Sequence, residues 1–341
     1  MELTWAGAFR AGAVCALALI AACGERARSA EGKGGAAAPL RVESAGPRQI
    51  HSAAWDTVFV VGGGVQDTLL LIPRLLAARG GQLYAFDYGD SRLKAFDARG
   101  GPRWRFGGPG SGPAEFGNPL DLEVGPDGSV WVLDGTEGRL SVVSADGTAQ
   151  RLVRHPGLLV KDVVPLRDRL LATTASPGDT FWIALDSAGR AREAGPAPVP
   201  GLREASPMLR QGFSIVADDS RTWATIFPFG NPFVVYDGTT VRCRGRLVEG
   251  EPFPTERPKD PRNAAWAVAS VLTDSSLFVL PRGRTDLRLR VLDEYSARDC
   301  RYLRSFRLPQ KVVAMAYSGG IFYFSMENPS PSILAARLRS R

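Results

Sequence analysis

Apolar and polar residues alternate in short runs along most of this chain, and the runs come in pairs. The clearest pairs are LYAFDYGDSRLKAFDARG from Leu83 and VWVLDGTEGRLSVVSADG from Val130. Each joins two stretches rich in β-branched and aromatic side chains through Gly, Asp or Ser, the signature of a β-hairpin. Weaker copies begin at Leu170, Thr222, Leu277 and Ile321, so the starts lie 40 to 55 residues apart. That is the period at which propeller blades repeat. No stretch beyond residue 50 keeps the i, i+3, i+4, i+7 spacing of a helix. The pattern predicts an all-β fold of six four-stranded antiparallel blades.

Counting runs sharpens the expectation. Leu75–Gly107, Leu120–Arg154, Val160–Ala194, Leu209–Val248 and Trp266–Leu308 each offer four runs, but Val312–Leu338 offers three. A three-stranded last blade would leave an unpaired outer edge, which propellers normally protect. One strand-like run, Thr57–Val61 (TVFVV), has nothing local to pair with. It is predicted to be the outer strand of the sixth blade, beside Ser332–Leu338, closing the ring.

Between the two clearest pairs lies FGGPGSGPAEFGNPLDLEVGPDGSVWVLD, from Phe106 to Asp134. A phosphate loop would need free N–H groups and a following helix. Here Pro109 and Pro113 remove two donors, no Gly-Lys-Ser/Thr follows, and the next run, LDLEV, alternates like a strand. The stretch reads as a hinge between sheets. Phe106-Gly107, Gly110, Gly112-Pro113, Phe116, Pro119 and Asp127-Gly128 before SVWVLD resemble the NHL repeat. More broadly, the chain is similar to bacterial six-bladed β-propeller lipoproteins that share this repeat. The resemblance is specific for Phe106–Ser144, moderate for Pro73–Gly107 and degenerate beyond Gly157. It implies an NHL/TolB-like propeller whose glycines link the outer strand of one blade to the inner strand of the next.

The first residues give an address. Met1–Ala22 reads as a secretory signal, since its apolar run from Ala11 to Ala22 is too short to span a bilayer comfortably. Ile20-Ala21-Ala22-Cys23 resembles the lipobox of bacterial lipoproteins, which implies lipidation of Cys23, cleavage before it and a hold on the membrane without a spanning helix. By that resemblance Gly24, not being aspartate, favours the outer membrane. Residues 23–50 are small, polar and unpatterned and are expected to be a flexible tether. Residues 51–341 form the propeller domain.

Composition narrows the function. The net charge is +7. A basic chain raises the question of nucleic acid, but the arginines are scattered and an exported lipoprotein meets lipids, glycans and proteins. No nucleic-acid partner is expected. The two histidines, His51 and His155, lie too far apart in sequence to suggest a multi-histidine zinc site. Asp121, Glu123 and Asp162 fall on inner strands. Calcium-dependent hydrolases on six-bladed propellers gather such oxygen ligands in the central channel. Arg74 and Lys161, at about the same repeat position as Asp121, would weaken a cation site there. Arg74, Asp121, Glu123 and Lys161 are therefore channel candidates for a ligand, with no metal and no other cofactor expected. Cys243 and Cys300 remain once Cys15 and Cys23 are set aside; they are either a disulfide in an oxidising envelope or two buried thiols. The leading expectation is a monomeric, membrane-anchored scaffold that binds a protein or glycan on its loop faces, with Gly195–Pro207 and Gly250–Pro261 as the favoured loops. A calcium-dependent hydrolase or lyase is the alternative.

Overall fold

The computed structural model describes residues 47–339, except 65, 136–137, 155–158, 177, 231, 249–266 and 283–286. Its described strands form six antiparallel blades around a central channel. Blade 1 comprises β3 (Pro73–Arg79), β4 (Gln82–Asp87), β5 (Arg92–Phe96) and β6 (Pro102–Phe106). Blade 2 comprises β7 (Pro119–Val124), β8 (Val130–Asp134), β9 (Arg139–Val143) and β10 (Gln150–Arg154). Blade 3 holds β11 (Val160–Pro165), β12 (Leu170–Thr174), β13 (Thr180–Leu185) and β14 (Ala191–Pro196). Blade 4 holds β15 (Phe213–Val216), β16 (Thr222–Ile226), β17 (Pro232–Asp237) and β18 (Thr240–Arg246). Blade 5 is β19 (Ala267–Leu272), β20 (Ser276–Pro281), β21 (Val291–Ser296) and β22 (Tyr302–Arg307).

The sixth blade joins the two ends of the described chain. β23 (Ala314–Ser318), β24 (Ile321–Met326) and β25 (Ser332–Arg339) are completed by β2 (Ala54–Gly62), antiparallel to β25 with Thr57 opposite Ala336 and Val61 opposite Ile333. The TVFVV run thus takes the predicted place. Trp55 presents its indole edge-on to Phe322 and Phe324, at 5.5 and 5.1 Å, and so packs the closing strand onto the blade. One feature departs from the expected tether. β1 (Ile50–His51) lies parallel to β22 as a fifth strand on blade 5. Just before it, Arg48 donates from Nε and Nη2 to the two carboxylate oxygens of buried Asp293, at 2.7 and 2.9 Å. Residues 48–50, expected in the tether, therefore belong with His51 to the folded domain.

Burial explains the run lengths seen in the sequence. Middle strands are sandwiched between neighbouring blades; β9 and β16 are buried at every position. Outer strands have water on one side, and β14 is exposed at all but one residue. The core is accordingly a ring of apolar wedges, one between each pair of adjacent blades.

The glycine-rich stretch is a hinge, and two of its N–H donors turn inward on the chain itself. Gly110, at φ +142°, donates to the Phe116 carbonyl, and Gly112 N–H donates to the Glu115 carboxylate at 2.8 Å. The anion in this loop is the chain's own Glu115. Gly107 lies over the Phe116 ring so closely that a Cβ there would stand 2.4 Å from it. At the far end of the link, Asp134 accepts from Gly117 and Asn118 N–H, as Asp87 accepts from Leu71 and Ile72 N–H before blade 1. The aspartate that ends the second strand of each of these two blades is a backbone cap.

Candidate functional site

Six inner strands wall the channel, and four of them begin with a bulge. Pairing with the second strand skips Arg74 in β3, Leu120 in β7, Lys161 in β11 and Val268 in β19. This corrects the repeat alignment. Arg74 and Lys161 correspond to Leu120, whereas Asp121 corresponds to Leu75, Asp162 and Ala269. A bulged residue turns off the ladder, and Arg74, with its side chain 54% exposed, pairs with Glu327 at 2.5 Å outside the carboxyl group cluster. Lys161 is half-buried and acts on the cluster only through its charge, which favours an ionised Asp162.

Asp121, Glu123 and Asp162 do come together. Asp121 Oδ2 accepts from Val163 N–H of the neighbouring inner strand at 2.8 Å, and its Oδ1 accepts from Leu122 N–H at 2.9 Å. The channel edge of an inner strand has no ladder partner, so this carboxyl satisfies a donor that would otherwise be orphaned. Asp162 Oδ2 accepts from Thr173 Oγ1 at 2.9 Å and from Ser214 Oγ of blade 4 at 3.4 Å. Burial dominates the electrostatics and favours the neutral forms. It pushes the Asp121 carboxyl up to about 7 against the pull of its two N–H donors. Glu123 and Asp162 are also held well above the carboxylate range by burial first and by the Asp121 charge second. Arg79, which donates to the Val124 and Asp218 carbonyls, is the cation that eases Glu123. Among the described residues no three metal-ligating side chains converge in a chelating arrangement.

Beside Glu123 the channel narrows to a cavity of about 50 Å³, walled by Ala77, Val216, Val271 and Met315 and by Ser270, whose hydroxyl is buried without a partner. Arg79 and Ser270 carry no motif, and only their depth in the channel shows their relation to Glu123.

The favoured loop Gly195–Pro207 is anchored by buried side chains and keeps Arg203 and Glu204 exposed. Leu202 and Leu209 are fully buried, and so is Arg210, which donates from Nη1 to the Leu202 and Arg203 carbonyls and from Nη2 to the Thr180 carbonyl, at 2.6, 3.3 and 2.8 Å. The segment packs blade 3 against blade 4, and the first strand of blade 4 begins at Phe213 rather than near Leu209. Gly250–Pro261, Cys23 and His155 lie outside the described residues. Cys243 and Cys300 are disulfide-bonded with their Cα atoms 5.8 Å apart. Cys300 reaches across because it sits in the β21–β22 turn at φ +62°, not in the diverging outer strand.

No protein-family model matches this chain, and no curated protein matches it in sequence. Solved structures do match. An exported protein from Bacteroides fragilis NCTC 9343 superposes with a TM-score of 0.55 at 12% identity, over 85% of this chain and 95% of that one. The likeness is one of fold. The β-propeller domain of Cps50 (Swd1) from Myceliophteria thermophila gives 0.49 at 10% identity, over 84% and 100%. Virginiamycin B lyase from Staphylococcus aureus gives 0.48 at 13%, over 77% and 80%.

Proposed function

We propose that this protein is a lipid-anchored, NHL-like propeller of the bacterial cell envelope that binds a protein or glycan and does no chemistry of its own. The observation that carries the reading is the state of the channel. The carboxyls that a hydrolase would use are engaged with backbone N–H and hydroxyl groups. The space beside them, about 50 Å³, holds a water or two rather than a substrate. Recognition is then left to the outer surfaces, carried on a rigid ring. The fold shared with an exported bacterial protein supports an envelope or secreted location. The lipobox at Cys23 supports the anchor, by preference in the outer membrane.

Two experiments test the reading. Cys23→Ser is expected to abolish lipid labelling and release the protein from membranes; retention after a high-salt wash would overturn the anchor. The protein purified from membranes is expected to melt alike with and without chelator. A stoichiometric calcium or zinc ion, lost together with a hydrolytic activity in Asp121→Ala, would overturn the scaffold in favour of a channel enzyme.

A further inference from the structure

Blades 1 and 2 use equivalent positions differently. In blade 1, Tyr84 pairs with Ala77, and Trp104 with Ala95. By the same register in blade 2, Trp131 pairs with Glu123, and Arg151 with Val142. Tyr84 and Trp104 thus correspond to Trp131 and Arg151. The Trp104 indole donates to the Ala145 carbonyl in the β9–β10 turn at 3.1 Å and fills the groove between blades 1 and 2. It fills it so closely that a Cβ on Gly147 would lie 2.5 Å from the ring. Arg151 makes the equivalent reach to the next blade, donating from Nη1 to the Ser187 carbonyl in the β13–β14 turn at 3.0 Å. A guanidinium is thinner than an indole, and the groove between blades 2 and 3 is open by about 470 Å³. That is the volume of a ligand pocket.

The lining specifies the ligand. Val153, Leu170 and Leu185 make an apolar floor. The carboxylates on the rim are already engaged: Asp127 by Ser129, Asp168 by Arg169 and Asp186 by Arg192. Arg151 and Arg167 are bonded to carbonyls instead, Ser187 and Asp219, and each uses one of its five donors there. The spare donors suit a planar carboxylate, which a guanidinium can bind in bidentate fashion. Three rim carboxylates would repel a polyanion. The Arg151 guanidinium, 5.7 Å from the Trp131 ring centre, covers the face on which a sugar would stack. Both Arg169 contacts fall on Asp168 Oδ2, so the 65% exposed Asp168 side chain still offers its Oδ1 as an acceptor to peptide N–H groups, which a fatty acid lacks.

We propose that this groove binds a short acidic peptide segment with an aliphatic residue beside its carboxylate. The proposal rests on the reading of the protein as a binding scaffold. The test is titration of the full chain, in lipid nanodiscs, with acetyl-Leu-Asp-Leu-amide and its Asn counterpart. The Asp peptide is expected to bind at least about tenfold more tightly, the value of one charge-assisted pair. Arg151→Trp, which refills the groove as Trp104 does, should abolish binding without lowering the melting temperature, and Arg167→Met should weaken it by about tenfold. Equal binding of the two peptides, binding unchanged in Arg167→Met, or tighter binding of sodium decanoate would each overturn the proposal. A native partner cross-linked equally by wild type and Arg151→Trp would overturn the groove while leaving the scaffold standing.

Discussion

Between blades 1 and 2 the chain turns on backbone conformation: Gly107 and Gly110 take positive φ, Glu115 caps Gly112, and Asp134 receives the incoming N–H groups. Between blades 3 and 4 there is no such glycine string. The chain folds residues 197–212 around the buried Arg210 side chain, whose N–H groups gather two carbonyls of the link itself and one from β13 of blade 3. The two links do one job by different chemistry. The first relies on what a residue type can do locally, and the second on a cation that is useful only where those carbonyls converge. The same division runs through the molecule. Blades 1 and 2 repeat their devices, whereas blades 4 to 6 rely on single long-range ones: the Cys243–Cys300 bond, the Arg48–Asp293 pair and the β2–β25 ladder.

The largest effect is expected at the closing ladder. Deleting residues 24–64 removes backbone hydrogen bonds worth about 1 kcal/mol each and the burial of Trp55 and Phe59. That total is comparable to the whole stability of a typical domain, about 5–15 kcal/mol. Such a chain should unfold or aggregate, while deletion of 24–46 should leave the melting temperature unchanged. Deletion of 24–50 should fall between, costing about 3 kcal/mol because the Arg48 guanidinium is withdrawn from buried Asp293. Equal melting of the three would refute both the closing ladder and the Arg48–Asp293 anchor.

Arg210→Ala is next, at about 3–5 kcal/mol, since it leaves buried carbonyls unpaired and opens a cavity. Arg210→Lys should recover less than half, because a point charge cannot fork to three acceptors. Full recovery by lysine in denaturant titration would show that charge alone matters. Removing the disulfide by the paired change Cys243→Ser and Cys300→Ser should cost about 4 kcal/mol from the entropy of its 57-residue separation. A much smaller loss would show that the Arg210 link and the wedge between blades 4 and 5 already fix that region.

In the first link, Gly110→Val should cost about 2 kcal/mol for its φ of +142°. Gly112→Val, which meets only the movable Glu115 side chain, should cost less than about 1 kcal/mol. A reversed order would mean that the Glu115 cap, not the backbone, sets the hinge. The smallest effect is a slope in pH. In the folded state Asp121 holds its proton up to about 7, well above its ordinary value near 4. Its stabilising contribution is therefore present below the unfolded value and is lost as pH rises towards 7. Melting temperature should fall from pH 5 to 7.5, and less steeply in Asp121→Asn. A rising profile would contradict the burial of this carboxyl.

Much of the architecture was legible because it follows from local rules. Period-two runs bounded by turn residues give strands at any place in a fold, and the count of three runs after Val312 called for a partner that TVFVV could supply. The candidate site was less legible. Asp121 and Glu123 stood out as acids on an inner strand, but Arg74 and Lys161 are the bulged residues of their strands, equivalent to Leu120 and one position before Asp121, and so stand off the ladder. A bulge depends on the partner strand and has no mark in a single run. Gly195–Pro207 reads as a polar, proline-rich loop because its few apolar residues show no period, and only packing between two blades shows that Val199 and Leu202 are core.

By itself the sequence determined the class of fold, the period of the blades, the hinge at Phe106–Phe116 and the need for a closing strand. Each of these depends on residues close together in the chain. Tertiary structure decided which carboxyls meet, that Cys300 reaches Cys243 from a turn, that Arg48 is buried, and that the groove between blades 2 and 3 stays open where its neighbour is filled. Those outcomes depend on distances between residues of different blades, and closing the ring is what sets those distances.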